Sequence, residues 1–255
     1  MSSLKIPSSV TRIERGAFYN AGTSGLKSLT IPGSVKYLGR NAFTNLRECT
    51  SLTISNGVDS IDIYCFSRLC SLQSVTIPSS VKWIGKRAFQ DCEKLSTVNY
   101  NATDCAGITF SQNDSSWFFA APITKVTIGE SVKTIPHNLM FNQTKLASVT
   151  IPGTVTSIGA NAFAGCTNLM DIYVAHKAPV LLSADIANAP VHAKAFVHVP
   201  EGCDKYYKGR DYWKNFQYIF DDNGTYQPAA EGDINHDGVV NVSDVAALIN
   251  KILGK

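Results

Sequence analysis

The chain carries little charge. Only 17% of its 255 residues are Asp, Glu, Lys or Arg, whereas 44% are hydrophobic. Basic residues outnumber acidic ones by 23 to 20, and a surplus spread this thinly lacks the electrostatic footprint of a nucleic-acid-binding protein. Runs of about 18 apolar residues, which a membrane-spanning helix needs, are also missing. We therefore expect neither a nucleic-acid partner nor a transmembrane segment.

Targeting and catalytic motifs are equally scarce. The start, MSSLKIPSSV, lacks the basic and apolar regions of a signal peptide, although a processed secreted protein would look the same. There is no GxSxG, P-loop or GxGxxG motif, and no histidine pairs with a cysteine or serine in a recognisable pattern. The histidines are His137, His176, His192, His198 and His236. We expect a protein that is not an enzyme.

What the chain does have is an internal repeat. LKSLTIPGSVKYLGRNAF (26–43), LQSVTIPSSVKWIGKRAF (72–89) and LASVTIPGTVTSIGANAF (146–163) share one pattern, LxxVxIPxxVxxIGxxAFxxCxx. The residue that ends the LxxVxI segment recurs after 25, 23, 23, 23, 28, 23 and 23 residues. These anchors are Ile6, Ile31, Ile54, Ile77, Tyr100, Ile128, Ile151 and Val174. About seven units therefore span residues 1–178.

Each unit predicts the same local structure. The alternating apolar residues of LxxVxI predict a short strand, and the following proline ends it because proline has no N–H to donate. Gly39, Gly85 and Gly159 mark a turn that we expect to need unusual backbone dihedrals. One unit has too few apolar positions to offset the entropy of ordering it, so the units must stack into a mainly β solenoid of short parallel strands. An internal ladder should comprise Phe18, Phe43, Phe66, Phe89, Met140 and Phe163.

The repeat also accounts for most of the seven cysteines, which show no CxxC or zinc-binding spacing. Four occupy positions that are leucine or alanine in other units, so we expect them to be free thiols in the core. These are Cys49, Cys65, Cys92 and Cys166. The state of the other three stays open, and they are Cys70, Cys105 and Cys203.

The fifth unit, residues 100–128, is enlarged and contains the polar segment SQNDSS before WFF. Two interpretations remain open. Its aromatic residues replace the usual core, or the segment is a recognition loop that exposes Trp117. Solvent exposure of Trp117 separates them.

Residues 179–222 are predicted to cap the array, because a terminal unit must cover its open apolar face. Residues 193–200 predict a last strand, and a helix is expected around Cys203 to Tyr207. The aromatic residues of this segment are expected to cover the last coil rather than form a ligand site. They are Tyr206, Tyr212, Trp213, Phe216, Tyr218 and Phe220. The polar segment 223–231 then predicts a linker.

The repeat pattern resembles the BspA-like leucine-rich repeats of bacterial surface proteins, over about residues 4 to 178, and VHVPEGCDKYYKGRDYWKNF is similar to segments that close such arrays in Bacteroidetes. The resemblance implies a right-handed leucine-rich repeat superhelix with an α+β cap. It also implies a secreted or cell-surface protein that functions in adhesion or in binding macromolecules.

The strands should present one outward row of polar residues to a partner. The residues between the V and I positions are Thr30, Thr53, Thr76, Asn99, Thr127, Thr150 and Tyr173. Threonine also suits an exposed strand that binds nothing. The row is therefore either a platform for a protein or glycan ligand or simply a solvated surface.

The last segment, GDINHDGVVNVSDVAALINKILGK (232–255), predicts a Ca²⁺ site followed by a helix. Its oxygen-bearing residues match positions 1, 3, 5, 9 and 12 of an EF-hand loop, with a backbone carbonyl at position 7 and Gly238 at position 6. The predicted ligands are Asp233, Asn235, Asp237, Val239, Asn241 and Asp244. The helix carries an apolar stripe of Val242, Val245, Leu248, Ile249 and Ile252.

This segment is similar to one repeat of a type I dockerin, which implies a single exiting helix and Asp at position 12. Dockerins usually contain two such repeats, and one is present here. The apolar stripe therefore needs another cover, which is the solenoid cap, a cohesin-like partner or a second repeat. Three functions follow as hypotheses: a surface adhesion module, a glycan-binding subunit of an extracellular polysaccharide-degrading complex, or a structural spacer.

Overall fold

The computed structural model describes residues 3–21, 25–105, 116–182 and 184–221. They form a parallel β-solenoid, which confirms the predicted fold class. One row of strands, the long row, contains one strand of three residues and nine of four. Its strands are Ser3–Lys5, Ser28–Ile31, Ser51–Ile54, Ser74–Ile77, Thr97–Tyr100, Lys125–Ile128, Ser148–Ile151, Asp171–Val174, Phe196–Val199 and Tyr218–Asp221.

A second row of two-residue strands, the short row, follows the proline of most units. Its members are Arg12–Ile13, Tyr37–Leu38, Ser60–Ile61, Trp83–Ile84, Thr134–Ile135, Ser157–Ile158 and Leu181–Leu182. The short row forms two sheets, of four and three strands, and the break between them falls at the enlarged fifth unit. Two short helices complete the described elements, α1 (Ala189–His192) and α2 (Asp204–Lys208), with a 3₁₀ turn at Trp213–Asn215.

Equivalent residues of successive turns lie side by side in the long row. Leu29 pairs with Leu52 and Thr30 with Thr53, and all pairings in the row are parallel. This in-register stacking follows from the 23-residue repeat, because each turn offers its neighbour the same hydrogen-bonding groups and the same apolar positions.

The aromatic ladder forms as predicted at the N-terminal end of the array. Phe18 and Phe43 stack with ring centroids 5.1 Å apart, and the Phe43–Phe66 and Phe66–Phe89 spacings are 5.6 and 5.4 Å. Phe118 of the enlarged unit continues the stack 5.4 Å from Phe89. The fifth unit thus rebuilds the same core from a different stretch of sequence.

Trp117 is 1% exposed. The hypothesis of a recognition loop with an exposed Trp117 is therefore wrong, and the alternative, in which the aromatic residues of this unit replace the usual core, is confirmed. The apolar ring is buried because the interior of the turn must be filled where the regular valine and glycine positions are absent. Residues 106–115, which include most of the polar segment, lie outside the described residues.

All seven cysteines are free thiols, and the four assigned to the core are fully buried. Two of them replace leucine and also bond to the previous turn. Cys92 Sγ donates to the Phe66 carbonyl oxygen at 3.4 Å, and Cys166 Sγ donates to the Met140 carbonyl oxygen at 3.1 Å. The prediction of buried free thiols at these positions is confirmed.

The three repeat glycines have a different role from the one predicted. None of them has a positive φ. A Cβ at Gly39, Gly85 or Gly159 would instead lie 2.6, 2.4 or 2.4 Å from a backbone nitrogen of the preceding turn. The prediction of unusual dihedrals is wrong, because glycine is needed here for close approach between turns.

Asparagine supplies many of the left-handed backbone conformations. Asn41, Asn138 and Asn161 have φ near +57 to +59°, and Asn45 and Asn142 have φ of +70 and +60°. Asparagine tolerates this region better than most residues, because its short polar side chain can bond locally. These positions repeat between units, yet the sequence pattern LxxVxIPxxVxxIGxxAF leaves them unspecified.

The array continues beyond the last regular anchor, Val174. A strand forms within the predicted segment 193–200, at Phe196–Val199, but it is not the last one. Tyr218–Asp221 adds a further parallel strand to the same sheet. Residues 175–195 and 200–217 thus form two irregular turns, which follow the eight long-row strands, from Ser3–Lys5 to Asp171–Val174, that residues 1–178 contribute.

The linker 223–231 and the dockerin-like segment 232–255 lie outside the described residues. Within the described part of the chain, no helix has the length and apolarity to cross a membrane.

The glycine contact predicts a specific loss of stability. Gly85→Ala should lower the free energy of unfolding by about 1–3 kcal/mol, because the added methyl group would overlap backbone of the preceding turn. Gly153→Ala is the matched control, since its nearest atom would be 3.6 Å away. Urea denaturation followed by circular dichroism measures both. Equal midpoints for the two variants would contradict the close-approach role.

Candidate functional site

The outward side of the long row is the broadest regular surface of the described chain, and we call it the strand face. It comprises the first and third residues of each four-residue strand. First-position residues are Ser28, Ser51, Ser74, Thr97, Lys125, Ser148, Asp171, Phe196 and Tyr218. Third-position residues are Thr30, Thr53, Thr76, Asn99, Thr127, Thr150, Tyr173, His198 and Phe220. Second and fourth residues face the core, as strand alternation requires, except that Asp221, the fourth residue of the last strand, is exposed.

The structure brings the predicted partner-binding residues into one row. Thr30, Thr53, Thr76, Thr127 and Thr150 are exposed, and Asn99 is half-buried. Neighbouring strands lie about 4.7–4.9 Å apart, so the row presents a hydroxyl or amide group at that interval wherever strands pair.

The hydroxyl part of the strand face is nearly uncharged. Between Ser28 and Ser148 its one charged residue is Lys125. The row also shows a bond between turns, in which Asn99 Nδ2 donates to Thr76 Oγ1 at 3.3 Å. Exposed hydroxyl groups both donate and accept hydrogen bonds, so this part of the face suits a polar partner without a strong charge of either sign.

Tyr173 departs from the rest of the row, because its ring is 9% exposed. The ring of His198, on the adjacent strand, stacks on it with centroids 4.5 Å apart. His198 Nε2 in turn lies 3.1 Å from Asp171 Oδ1. Tyr173 therefore helps to support the C-terminal end of the face instead of presenting its ring to solvent.

Exposed aromatic rings lie one strand further on. Phe220 is 46% exposed and Tyr218 is 36% exposed, and both rings contact Phe196, at 5.7 and 5.1 Å between centroids. Sequence analysis assigned Tyr218 and Phe220 to the lid of the last coil. The order of YIF, in which two rings flank an aliphatic residue as Phe196 and His198 flank Val197, is the signal that could have placed them on the face.

Two histidines pair with aspartates, His198 with Asp171 as described above and His192 with Asp185 in the cap region. His192 Nε2 lies 2.9 Å from Asp185 Oδ1. Asp185 also accepts bonds from the Ala187 N–H at 3.2 Å and from Asn215 Nδ2 at 2.8 Å. These bonds hold the last irregular turns together. The pair could not be predicted, because it joins segments that no repeat spacing relates.

Burial makes most thiols poor nucleophiles. Desolvation raises the pKa of Cys92, Cys105 and Cys166 to about 12, and burial also raises the pKa of Cys49 and of Cys65. Since the thiolate is the reactive form, these groups are unreactive at neutral pH.

The described residues contain no candidate metal site. Among the residues that the structure describes, no group of three or more His, Cys, Asp or Glu side chains could hold a metal ion. The predicted Ca²⁺ ligands from Asp233 to Asp244 lie outside those residues, so that site stays a prediction.

The repeat places the chain in a known family. Residues 1–114 and 70–181 match the BspA type leucine rich repeat region, in six copies. These ranges together exceed half of the sequence, and the chain therefore belongs to the BspA-type leucine-rich repeat family. The resemblance predicted from LxxVxIPxxVxxIGxxAF is confirmed.

Solved structures of leucine-rich repeat proteins from several bacteria match this chain. A leucine-rich cell surface protein from Faecalibacterium prausnitzii is 29% identical with a TM-score of 0.49, and the match covers 68% of this chain and 48% of that one. A leucine-rich repeat protein of T. pallidum is 23% identical, with a TM-score of 0.44 and coverage of 84% and 80%.

A leucine-rich repeat protein from Bacteroides ovatus is 20% identical, with a TM-score of 0.29 and coverage of 85% of this chain and 76% of that one. The match with the F. prausnitzii protein covers 48% of that protein, so this chain spans about half of its length. No curated protein matches the sequence.

Thiol burial predicts a simple labelling pattern. Cys70 is the one cysteine that is not buried, so it should react first with Ellman's reagent at pH 8, while the other six react only in denaturant. Cys70→Ser should abolish the fast phase, whereas Cys166→Ala should leave it intact. A fast phase that persists in Cys70→Ser would show that a core thiol is accessible.

Proposed function

We propose that this chain is a non-enzymatic binding module of a secreted or cell-surface protein, and that it binds a macromolecule through the strand face. One observation carries the proposal: successive parallel strands align polar residues on one side of the solenoid, and the exposed rings of Tyr218 and Phe220 lie at the C-terminal end of that side, beyond the buried Tyr173 and His198. Membership of the BspA-type family supports the extracellular location.

A protein partner fits this surface best. Interfaces between proteins concentrate their binding energy in a few aromatic side chains surrounded by weaker polar contacts. Here Tyr218 and Phe220 would supply the anchors, and the threonine row would supply the polar surroundings. Exposed large apolar rings are otherwise costly to leave in water.

A glycan is the second candidate, and the neutral hydroxyl row favours it. The row can donate and accept hydrogen bonds as sugar hydroxyls do, and the exposed rings offer flat apolar surfaces to pyranose faces. This alternative corresponds to a glycan-binding subunit of an extracellular polysaccharide-degrading complex.

The C-terminal segment adds a second proposed activity. We infer that Asp233, Asn235, Asp237, Asn241 and Asp244, with the carbonyl of Val239, bind Ca²⁺, because their spacing fills an EF-hand loop. The apolar stripe from Val242 to Ile252 would then be covered by a cohesin-like partner or by another part of this chain.

Partner binding can be tested by placing charge on the row. The triple variant Thr76→Arg, Asn99→Arg, Thr127→Arg should abolish capture of a bound partner, because three guanidinium groups would obstruct and charge the face. Thr11→Arg, Thr144→Arg, Thr167→Arg is the matched control, since these threonines are exposed and lie outside the long row.

Both variants and the wild-type chain are compared in pull-downs from extracellular matrix proteins and on a glycan array. Protein capture that the face variant alone loses supports the first candidate, and the same pattern on the array supports the second. Binding by the face variant at wild-type strength excludes this face, and silence of the wild type in both assays favours a structural spacer.

Calcium binding can be tested on the chelated full chain by titration calorimetry. One site should release or absorb heat, and Asp233→Ala with Asp237→Ala should abolish the signal because two carboxylate ligands are lost. Glu130→Gln, which changes an exposed acid of the solenoid, should leave it unchanged. The solenoid's melting temperature should hardly change. Absence of heat in the wild-type chain would refute the metal proposal.

A further inference from the structure

A basic cleft lies at the C-terminal end of the solenoid, away from the residues of the strand face. It has a volume of about 640 Å³, within the usual range of ligand-binding pockets. One wall is the turn that follows the Asp171–Val174 strand, and the other is α2 and the residues after it. The side chains that matter are Lys177, Pro179, Lys205, Tyr206 and Arg210.

Helical spacing pairs the acid at the start of α2 with the lysine at its end. Asp204 and Lys208 are four residues apart and form an ion pair, with Nζ and Oδ2 at 2.6 Å. Tyr206 and Arg210 share a second side, and both line the cleft. The ring of Tyr207 enters the core, where it is fully buried.

The cations of the cleft have no acidic partners. The acids nearest to them in sequence are already engaged, Asp204 by Lys208 and Asp211 by Lys214, whose Nζ lies 2.9 Å from Asp211 Oδ1. Within the described residues, Lys177, Lys205 and Arg210 make no ion pair. Asp204 and Asp211 still act electrostatically on Lys205 and Arg210, so these acids offset part of the positive charge. Three cations around one concavity nevertheless attract an anion.

The cleft is also held in shape before any ligand arrives. Tyr207 Oη donates to the His176 carbonyl oxygen at 2.6 Å, and Trp213 Nε1 donates to the Val180 carbonyl oxygen at 3.0 Å. These bonds attach the turn that carries Lys177 and Pro179 to the cap. A ligand would therefore pay little ordering entropy for the backbone on either side of it.

An exposed aromatic ring completes the cleft. Tyr206 is 55% exposed, and Lys205 Nζ lies 5.1 Å from its ring centroid. A point anion such as phosphate would contact the cations but could not pack on the ring of Tyr206. A ring-shaped ligand with acidic substituents uses both, since a pyranose face packs on the tyrosine while carboxylate or sulfate groups meet the cations.

We propose that this cleft binds an acidic saccharide, in which pyranose rings carry carboxylate or sulfate groups. Tyr206 contacts a sugar face, Arg210 binds an anionic group with its guanidinium fork, and Lys177 and Lys205 bind from the opposite and adjacent sides. None of the residues that line the cleft belongs to the strand face, so this proposal does not depend on the binding function proposed for that face.

The test uses the full chain and titration calorimetry at low and at raised salt. The probes are an oligogalacturonate, a sulfated chondroitin oligosaccharide and a neutral cello-oligosaccharide. We expect binding of at least one acidic probe, weakening as salt rises, and none of the neutral one. Which acidic probe binds identifies the anionic group as carboxylate or sulfate.

Variants of the cleft make the test specific. Lys177→Gln with Arg210→Gln should weaken binding of the acidic probe about tenfold or more, because two charge-assisted contacts are lost. Lys133→Gln with Lys145→Gln removes the same charge from exposed positions elsewhere and should change affinity less than about twofold. Tyr206→Ala should weaken binding, whereas Tyr206→Phe should retain it.

Four results would overturn the proposal. They are equal losses in the cleft and control variants, binding of the neutral probe at the same affinity, full competition by inorganic phosphate, and binding of a glutamate-rich peptide in place of every saccharide. Failure of the wild-type chain to bind either acidic probe at low salt would do the same. Circular dichroism melting of each variant confirms that the fold is retained.

Discussion

Each turn of this protein rests directly on the backbone of the turn before it. At Gly39, Gly85 and Gly159 the N–H group donates to a carbonyl oxygen of the preceding turn at 2.8 Å in every case. A side chain at these positions would prevent that approach, since its Cβ would overlap the neighbouring backbone. The same hydrogen bond, also 2.8 Å long, joins the Asp62 N–H to the Leu38 carbonyl oxygen at the equivalent position of another turn. This backbone contact holds successive turns together, and the phenylalanine stack and the strand pairings form between turns held in this way.

In-register stacking turns one residue of the repeat into a row on the surface. Thr30, Thr53 and Thr76 are far apart in sequence but occupy the same position of successive strands. The solenoid thus makes a surface whose chemistry is the repeat's own, neutral and rich in hydroxyl groups. Aromatic rings replace the hydroxyl groups where the repeat ends, at the stacked rings of Tyr173 and His198 and at the exposed ring of Phe220.

Much of the fold and part of the candidate site could be predicted from the repeat. The strands, the phenylalanine ladder and buried thiols such as Cys92 all follow from positions that recur every 23 residues. Where recurrence fails, the prediction fails with it. Phe118 joins the ladder, and Tyr218–Asp221 joins the sheet, because the open face of the preceding turn accepts any segment that fills it and pairs with it.

The sequence alone therefore determined that the units stack, which residues are buried and which row of threonines faces outward, because each of these depends on a pattern repeated along the chain. Tertiary structure alone decided what the irregular segments do. It buried Trp117, stacked His198 on Tyr173, and brought Lys177 and Arg210 to the lining of one cleft. Such contacts join residues that no period relates, so only the packing of the finished turns determines which of them meet.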